Sequence, residues 1–411
     1  MNSLFGWWHA ADERAHRAFV AAALGWMLDA FDVMLYSIVL AALINDPQLH
    51  LSLPMAGTLN SVTLLAAAAG GIFFGLFSDR YGRTRALMAS VLLYSIFTAA
   101  CGLAQSALQL AVFRIFLGLG MGGEWASGAA LVSETFPAEH RGKALGFMQS
   151  AWAIGYGAAG LANLLILPVW GWRGVFFIGV LPAFLTVWVR RGVEEPEIWR
   201  TRTNGGHAAG GLADLFTAGR APTTTAVTLM NACSLFGWWG LNSWVPAYLR
   251  LAPAQGGVGL ASSTMSLFVI AMQVGMWFGY VTFGFVADAI GRRRAYVAYI
   301  LIASVLLPIY GVIKSPPLLL VLGPFVAFFG TGYFSGFGAL TAELYPTAIR
   351  GTAQGFTYNL GRVASAAAPY TVGKLASTQG FGPAFAVTGA VFLLAAVMWT
   401  WIPETRGREL T

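Results

Sequence analysis

Gly75-Leu-Phe-Ser-Asp79-Arg80-Tyr-Gly82-Arg83-Thr-Arg85 lies between two long apolar runs, and so does Gly284-Phe-Val-Ala-Asp288-Ala-Ile-Gly291-Arg292-Arg293-Arg294. The two stretches carry glycine, aspartate and arginine at matching places. A second pair keeps the same register: Glu134-Thr-Phe-Pro137 with Arg141, Gly142 and Gly146 returns as Glu343-Leu-Tyr-Pro346 with Arg350, Gly351 and Gly355. Asp288 follows Asp79, and Arg350 follows Arg141, by the same 209 residues. A register held through long apolar segments marks one structural unit written twice, and a duplicated membrane half is its physical form.

Of the 411 residues, 57% are hydrophobic and only 10% charged, and the mean hydropathy is +0.67. Soluble domains carry about 25% charged residues, so lipid is the expected solvent for much of this surface. The net charge of +7 does not point to nucleic acid. Arg and Lys cluster in short loops between apolar runs, where positive charge orients a membrane protein. Cys101 and Cys233 sit inside apolar runs without ligand spacing, which suggests neither a disulfide nor a metal site. The first run is long, holds two aspartates and lacks a small-residue cleavage pattern, so no signal peptide is expected.

Residues 1–17, with Trp7, Trp8, Arg14 and Arg17, read as an interfacial cytoplasmic lead-in. Six apolar runs follow within 18–190, a polar linker over 191–222, six more runs within 223–402, and a tail over 403–411. Most runs reach the roughly 20 residues a spanning helix needs. The expected fold is an all-α membrane protein of twelve transmembrane helices in two pseudo-symmetric six-helix bundles. With the N-terminus inside, the inner loops collect most of the arginines, including Arg80, Arg83, Arg85, Arg141, Arg292, Arg293, Arg294 and Arg350. Both termini are therefore placed in the cytoplasm and the chain in the cytoplasmic membrane. His207 in the linker reads as a solvated loop residue.

These residues carry a family likeness. The doubled G-x-x-x-D-x-x-G-R pattern resembles the signature of the major facilitator superfamily, as do Arg114-Ile-Phe-Leu-Gly118 and Pro403-Glu404-Thr405-Arg406-Gly407. Leu28-Asp29-Ala30-Phe31-Asp32 resembles the D-G-F-D element of bacterial metabolite:proton symporters, with Ala30 where that element usually has glycine. Gly120-Met-Gly-Gly-Glu124-Trp125 is similar to the same group, which includes carriers of sialic, aromatic and other organic acids. The resemblance implies a secondary transporter, not an enzyme.

The doubled loop motif is expected to be mechanical. Asp79, Arg83, Glu134 and Arg141, with their copies Asp288, Arg292, Glu343 and Arg350, can form charge-assisted contacts that hold the inner side shut. The competing reading is that the arginines only enforce topology. Asp29 and Asp32 lie i, i+3 on the first helix, roughly 16–21 Å from its inner end at 1.5 Å per residue. Glu124 lies in the inner half of the fourth. Charge at such depth is costly and usually functional, and desolvation favours a protonated carboxylate, so these three are the proton-coupling candidates. The alternative is a static pair with arginine that locks two helices together.

Arginine does not release its proton and is a fixed clamp for a carboxylate. Arg362 shares one face of the eleventh run with Tyr358, Asn359 and Ser365, and is read as a substrate clamp or else a structural ion pair. Arg114 carries the same two readings. Asn231, Ser234, Trp238 and Asn242 line the seventh run; Ser266, Gln273 and Tyr280 the eighth; Gln149, Tyr156 and Asn163 the fifth. From these faces Tyr156, Asn231, Trp238, Asn242, Gln273 and Tyr280 join Arg362, Arg114, Tyr358 and Asn359 as substrate-binding candidates. The expected function is proton-coupled symport of a small organic anion by a monomer, with the proton as coupling ion and no cofactor. The alternatives are a proton-linked carrier of a neutral sugar or polyol, and a non-transporting sensor on the same fold. No metal spacing or nucleophile–base constellation suggests an intramembrane enzyme.

Overall fold

The computed structural model describes residues 6–9, 11–136, 140–184, 188, 212–217, 219–346 and 349–406. These residues hold helices and no strand. The first bundle contains α1 (Glu13–Ile44), α2 (Leu53–Tyr81), α3 (Arg83–Cys101) and α4 (Ala107–Thr135). A helical stretch Arg141–Phe177 is broken at Gly171, whose φ of 63° is non-helical, just past Pro168. It therefore comprises α5 (141–170) and the start of α6 (described over 172–184). The second bundle contains α7 (Ala221–Asn242, continued by Val245–Arg250), α8 (Ser262–Ile290) and α9 (Arg292–Val312). Then come α10 (Pro316–Thr331, a 3₁₀ segment Gly332–Gly336, then Phe337–Leu344), α11 (Arg350–Ser365 and Ala367–Gln379) and α12 (Phe381–Met398).

Nine helices among the described residues are long and apolar enough to cross a membrane. One of them runs through the Gly171 break and holds two segments, and α7 and α11 complete the twelve. α11 is broken at Ala366 into segments of 16 and 13 residues, each shorter than a single spanning helix. Several starts are capped as the sequence allows: Asp12 Oδ1 accepts from Ala15 N at 2.8 Å, and Ser52 and Ser106 accept from Met55 N and Gln109 N.

The repeat is visible in packing. α1 lies on α5 and α2 on α4; in the second bundle α7 lies on α11 and α8 on α10. The contacts match at the residue level. A β-carbon at Gly70 would sit 2.0 Å from Leu119 O, and one at Gly279 would sit 2.6 Å from Phe328 O. Both members of the second pair lie 209 residues beyond the first. Such contact lets helix backbones pack without a hydrophobic drive between them. The turns of the doubled motif also match, with Gly82 at φ 113° and Gly291 at φ 100°, a region open to glycine and strained for other residues.

The bundles meet through α2 on α11 and α5 on α8. Within the described part of the lead-in, Trp7 is buried, its ring stacked 5.1 Å from Phe147 and close to Phe19 and Phe136. Of the linker expected over 191–222, only 212–217 and 219–222 fall within the described residues.

Candidate functional site

Asp29 and Asp32 on α1 and Glu124 on α4 are completely buried. Among the described residues none of their six carboxylate oxygens has a hydrogen-bond partner. Glu124 lies against α1, where a β-carbon on Gly25 would meet its Oε1 at 2.5 Å. Asp32 Oδ1 faces Gly179 and Thr98. Asp29 sits between the other two acids, close enough to interact electrostatically with both. The charge acting on it from the other bundle is Arg362 of α11. Arg362 is 3% exposed, its Nε is unpartnered among the described residues, and its guanidinium lies 5.2 Å from the Tyr358 ring. Asp29, central among three acids of the first bundle, thus faces an arginine of the second.

Around this group lies a wall of indoles and amides. Trp26 and Trp152 pack at 4.6 Å between ring centroids, and Trp152 meets Trp238 edge-on at 5.4 Å. The three indole N–H groups, Asn231 Oδ1 and Gln273 Oε1 are all buried without partners among the described residues. Tyr280 lies among Trp238, Tyr358 and Gln149. Asn359 faces α2, where a β-carbon at Gly71 would meet its Oδ1 at 3.2 Å. Buried polar groups are ordinarily paired with protein, water or ligand, and this concentration of them makes the midplane polar. Trp26 and Trp152 were not singled out from the sequence. Their spacing, three before Asp29 and four before Tyr156, places them on the faces already chosen.

Other candidates take structural positions. Arg114 is fully buried, donates from Nη2 to Asn60 Oδ1 at 2.8 Å, and lies 3.7 Å from the Tyr36 ring centroid. Its Nη1 has no partner among the described residues. Asn60 in turn donates to Ser243 Oγ at 2.7 Å across the bundles. Tyr156 donates to Asn242 O at 3.1 Å, and Asn163 donates to Ser262 and Ser266, so these also tie the bundles together. Ser234 does not join the midplane face; it hydrogen-bonds Tyr296 of α9 at 2.7 Å. With Gln255–Asn45 and Tyr370–Ser61, these hydrogen bonds between the bundles lie in the half away from the arginine-rich turns and hold that end closed.

At the arginine-rich end the second copy of the loop motif is assembled. Arg292 pairs with Asp288 and donates to Glu343 Oε1 at 3.0 Å, and Thr405 donates to Glu343 Oε2 at 2.5 Å. Glu404 accepts from the amides of Arg292 (2.9 Å) and Arg293 (3.1 Å). Of the first copy, Arg83 donates to Ser78 Oγ at 3.0 Å. The side chains of Asp79, Glu134 and Arg141, and that of Arg350, lie outside the described residues. Among the described residues no cluster of metal-ligating side chains forms.

Two equivalent bundles around a buried, unsatisfied polar midplane define a membrane transporter. The chain belongs to the Major Facilitator Superfamily, whose family model matches residues 22–281 and 227–411. It is 33% identical over 391 residues to the cis,cis-muconate transport protein of Acinetobacter baylyi, covering 93% of this chain and 92% of that one. It is 28% identical to the sialic acid transporter NanX of Escherichia coli (94% and 93% covered) and 28% identical to the gentisate transporter of Corynebacterium glutamicum (93% and 86%). Its fold matches a D-xylose-proton symporter with a TM-score of 0.76 at 22% identity, over 97% of this chain and 100% of that one. These relatives are transporters, several of them named for organic acids, and the chain is a transporter rather than an enzyme.

Proposed function

We propose that the chain imports a small organic anion together with a proton, by alternating access of its two bundles across the cytoplasmic membrane, with both termini inside. The observation that carries this is the buried Asp29, beside Asp32 and Glu124, interacting with the buried Arg362 of the other bundle. Buried charges of like sign repel, and an acid facing an arginine holds it in place. A proton on Asp29 weakens that hold and frees Arg362 for a substrate carboxylate, which guanidinium binds bidentately. Binding of proton and anion then support each other without an external switch.

Charge favours the same pairing. A monoanion entering a negative-inside cell is opposed by roughly 2.3 kcal/mol per 100 mV, and one accompanying proton cancels that term. Tyr358, Asn359, Asn231, Gln273, Tyr280 and the Trp238 wall would hold the body of the anion. Arg114, Asn242 and Tyr156 would hold the far end shut, while Asp288, Arg292 and Glu343, with Asp79, Arg83, Glu134, Arg141 and Arg350, serve the near end. A monomer suffices, because both sides of the site come from one chain. A neutral sugar would leave Arg362 without an anionic partner.

The test is uptake into proteoliposomes under an inward proton gradient. Muconate, gentisate, sialic acid and other labelled carboxylates are compared with xylose, for wild type and Arg362→Met. Gradient-driven uptake of a carboxylate that the variant abolishes is the expected result. Uptake of xylose alone, or anion uptake indifferent to Arg362, would discard the proposal.

A further inference from the structure

A groove of about 770 Å³ opens at the arginine-rich end on the outer flank of the second bundle, away from the midplane. Arg293, Arg294, Val297 and Leu301 of α9 line one side, Ala396 of α12 the other, and Glu404 and Arg406 of the tail close its end. We propose that this groove is a binding site for an anionic phospholipid of the adjoining leaflet, its phosphate held by Arg293, Arg294 and Arg406 and an acyl chain laid along α9.

Three observations support it. First, the guanidinium groups of Arg293, Arg294 and Arg406 form no hydrogen bond or ion pair among the described residues, and all three residues are exposed. Arg292 beside them is different, being engaged by Asp288 and Glu343. Second, the one acid of the groove is spent. The Glu404 oxygens accept from the backbone amides of Arg292, Arg293, Thr405 and Arg406. Three guanidinium groups against one carboxylate leave a net positive groove. Arginines in the first turn also sit at the positive end of the helix dipole, an unfavourable place that an external anion relieves.

Third, the wall is shaped for a chain. Val297, Leu301, Val305 and Ile309 recur every four residues along one face of α9, and Leu301, Val305 and Ile309 are exposed apolar residues at 43%, 60% and 41%. Topology alone asks for arginines in the loop. It does not ask for a groove between two helices that continues into an apolar stripe. Basic pockets between spanning helices are suited to anionic headgroups, and a free phosphate would make no use of the stripe.

The experiment is native mass spectrometry of the purified protein titrated with phosphatidylglycerol, with phosphatidylcholine of the same acyl chains, and with inorganic phosphate. Wild type should retain phosphatidylglycerol at least tenfold more tightly than phosphatidylcholine. Arg293→Ala/Arg294→Ala/Arg406→Ala should bring that ratio close to one, with an unchanged elution profile as the check on folding. Leu301→Trp keeps every charge, fills the groove, and should weaken phosphatidylglycerol several-fold, so it carries the test if the triple variant does not fold. Equal retention of both lipids by wild type overturns the proposal. So does a preference that survives the variants, or competition by inorganic phosphate at the same concentration as the lipid.

Discussion

Replacing Ser243 with alanine should loosen the closed end of the molecule by a measurable and bounded amount. Ser243 Oγ accepts from Asn60 Nδ2 at 2.7 Å, both side chains are buried, and the bond joins α2 to the residue that ends α7 in the other bundle. The substitution removes one neutral hydrogen bond, worth about 0.5–1.5 kcal/mol net. If that bond exists only while the end is closed, the ratio of open to closed molecules should rise about two- to twelvefold. Asn60→Ala should shift the ratio to the same extent, because its other bond, to Arg114 Nη2 at 2.8 Å, lies within the first bundle and is common to both states.

Spin labels at His50 and Ala254, exposed and one on each bundle at that end, would report the two populations by pulsed dipolar spectroscopy. A longer distance should gain weight over wild type in Ser243→Ala, and by the same amount in Asn60→Ala. The double variant should match Asn60→Ala, because the shared bond can be lost only once. An unchanged distribution in Ser243→Ala would refute the latch. So would a shift in Asn60→Ala that Ser243→Ala adds to in full, since Asn60 would then act through Arg114 alone.

Asp29→Asn should abolish accumulation driven by a pH gradient while leaving exchange of labelled for unlabelled substrate. One pH unit stores about 1.4 kcal/mol per proton, so tenfold accumulation in wild type should fall to simple equilibration. Gly122→Val should cost about 1–3 kcal/mol of stability by overpacking, seen as a lower thermal midpoint in detergent, because its β-carbon would lie 1.9 Å from Ala67 O. Burial acts to raise the Glu404 carboxyl, but the amides of Arg406, Arg292, Arg293 and Thr405 outweigh it and hold it below the usual carboxylate range. A carboxyl lowered by folding stabilises above its unfolded pKa and loses that contribution as pH falls through the folded value. Glu404→Gln should therefore melt lower at neutral pH and show a flatter decline on acidification below about pH 4.3.

The architecture was legible because membranes restrict it: spanning segments must be long and apolar, and the loop motif recurs in register. The acids of α1 and α4 and the arginine of α11 stood out for the same reason, as costly charges in apolar runs. Partners were harder to see. Polar residues on a helix reveal a face, but a helix inside a bundle has neighbours on several sides. Ser234 shares a stripe with Asn231 and Trp238 yet bonds α9, and Asn163 bonds Ser266 across the bundles. Asn60 gave no signal as a lone amide in α2. Its meaning comes from Arg114 and Ser243, which lie 54 and 183 residues away.

The repeat itself shows where function departs from scaffold. At the 209-residue offset the turn glycines and the Gly70–Leu119 contact are preserved as Gly279–Phe328, so the fold tolerated little change there. The ionisable residues of the midplane are not preserved. Asp29 corresponds to Trp238, Glu124 to Tyr333, and Arg362 to Ala153. Two identical halves would face each other with like charges and repel across the midplane. Placing the acids in one half and the arginine in the other turns that repulsion into an attraction, and a proton or a substrate carboxylate can each relieve it from its own side. Reversing the pair tests this directly. Asp29→Arg with Arg362→Asp keeps the attraction but moves each charge to the other bundle. Restored folding without proton-driven uptake is expected, because the acids of α1 and α4 would then border a cation that never faces the substrate wall of α7 and α11. Full uptake by the swapped protein would mean that only the pair's existence matters, and that the division of charge between the halves does not.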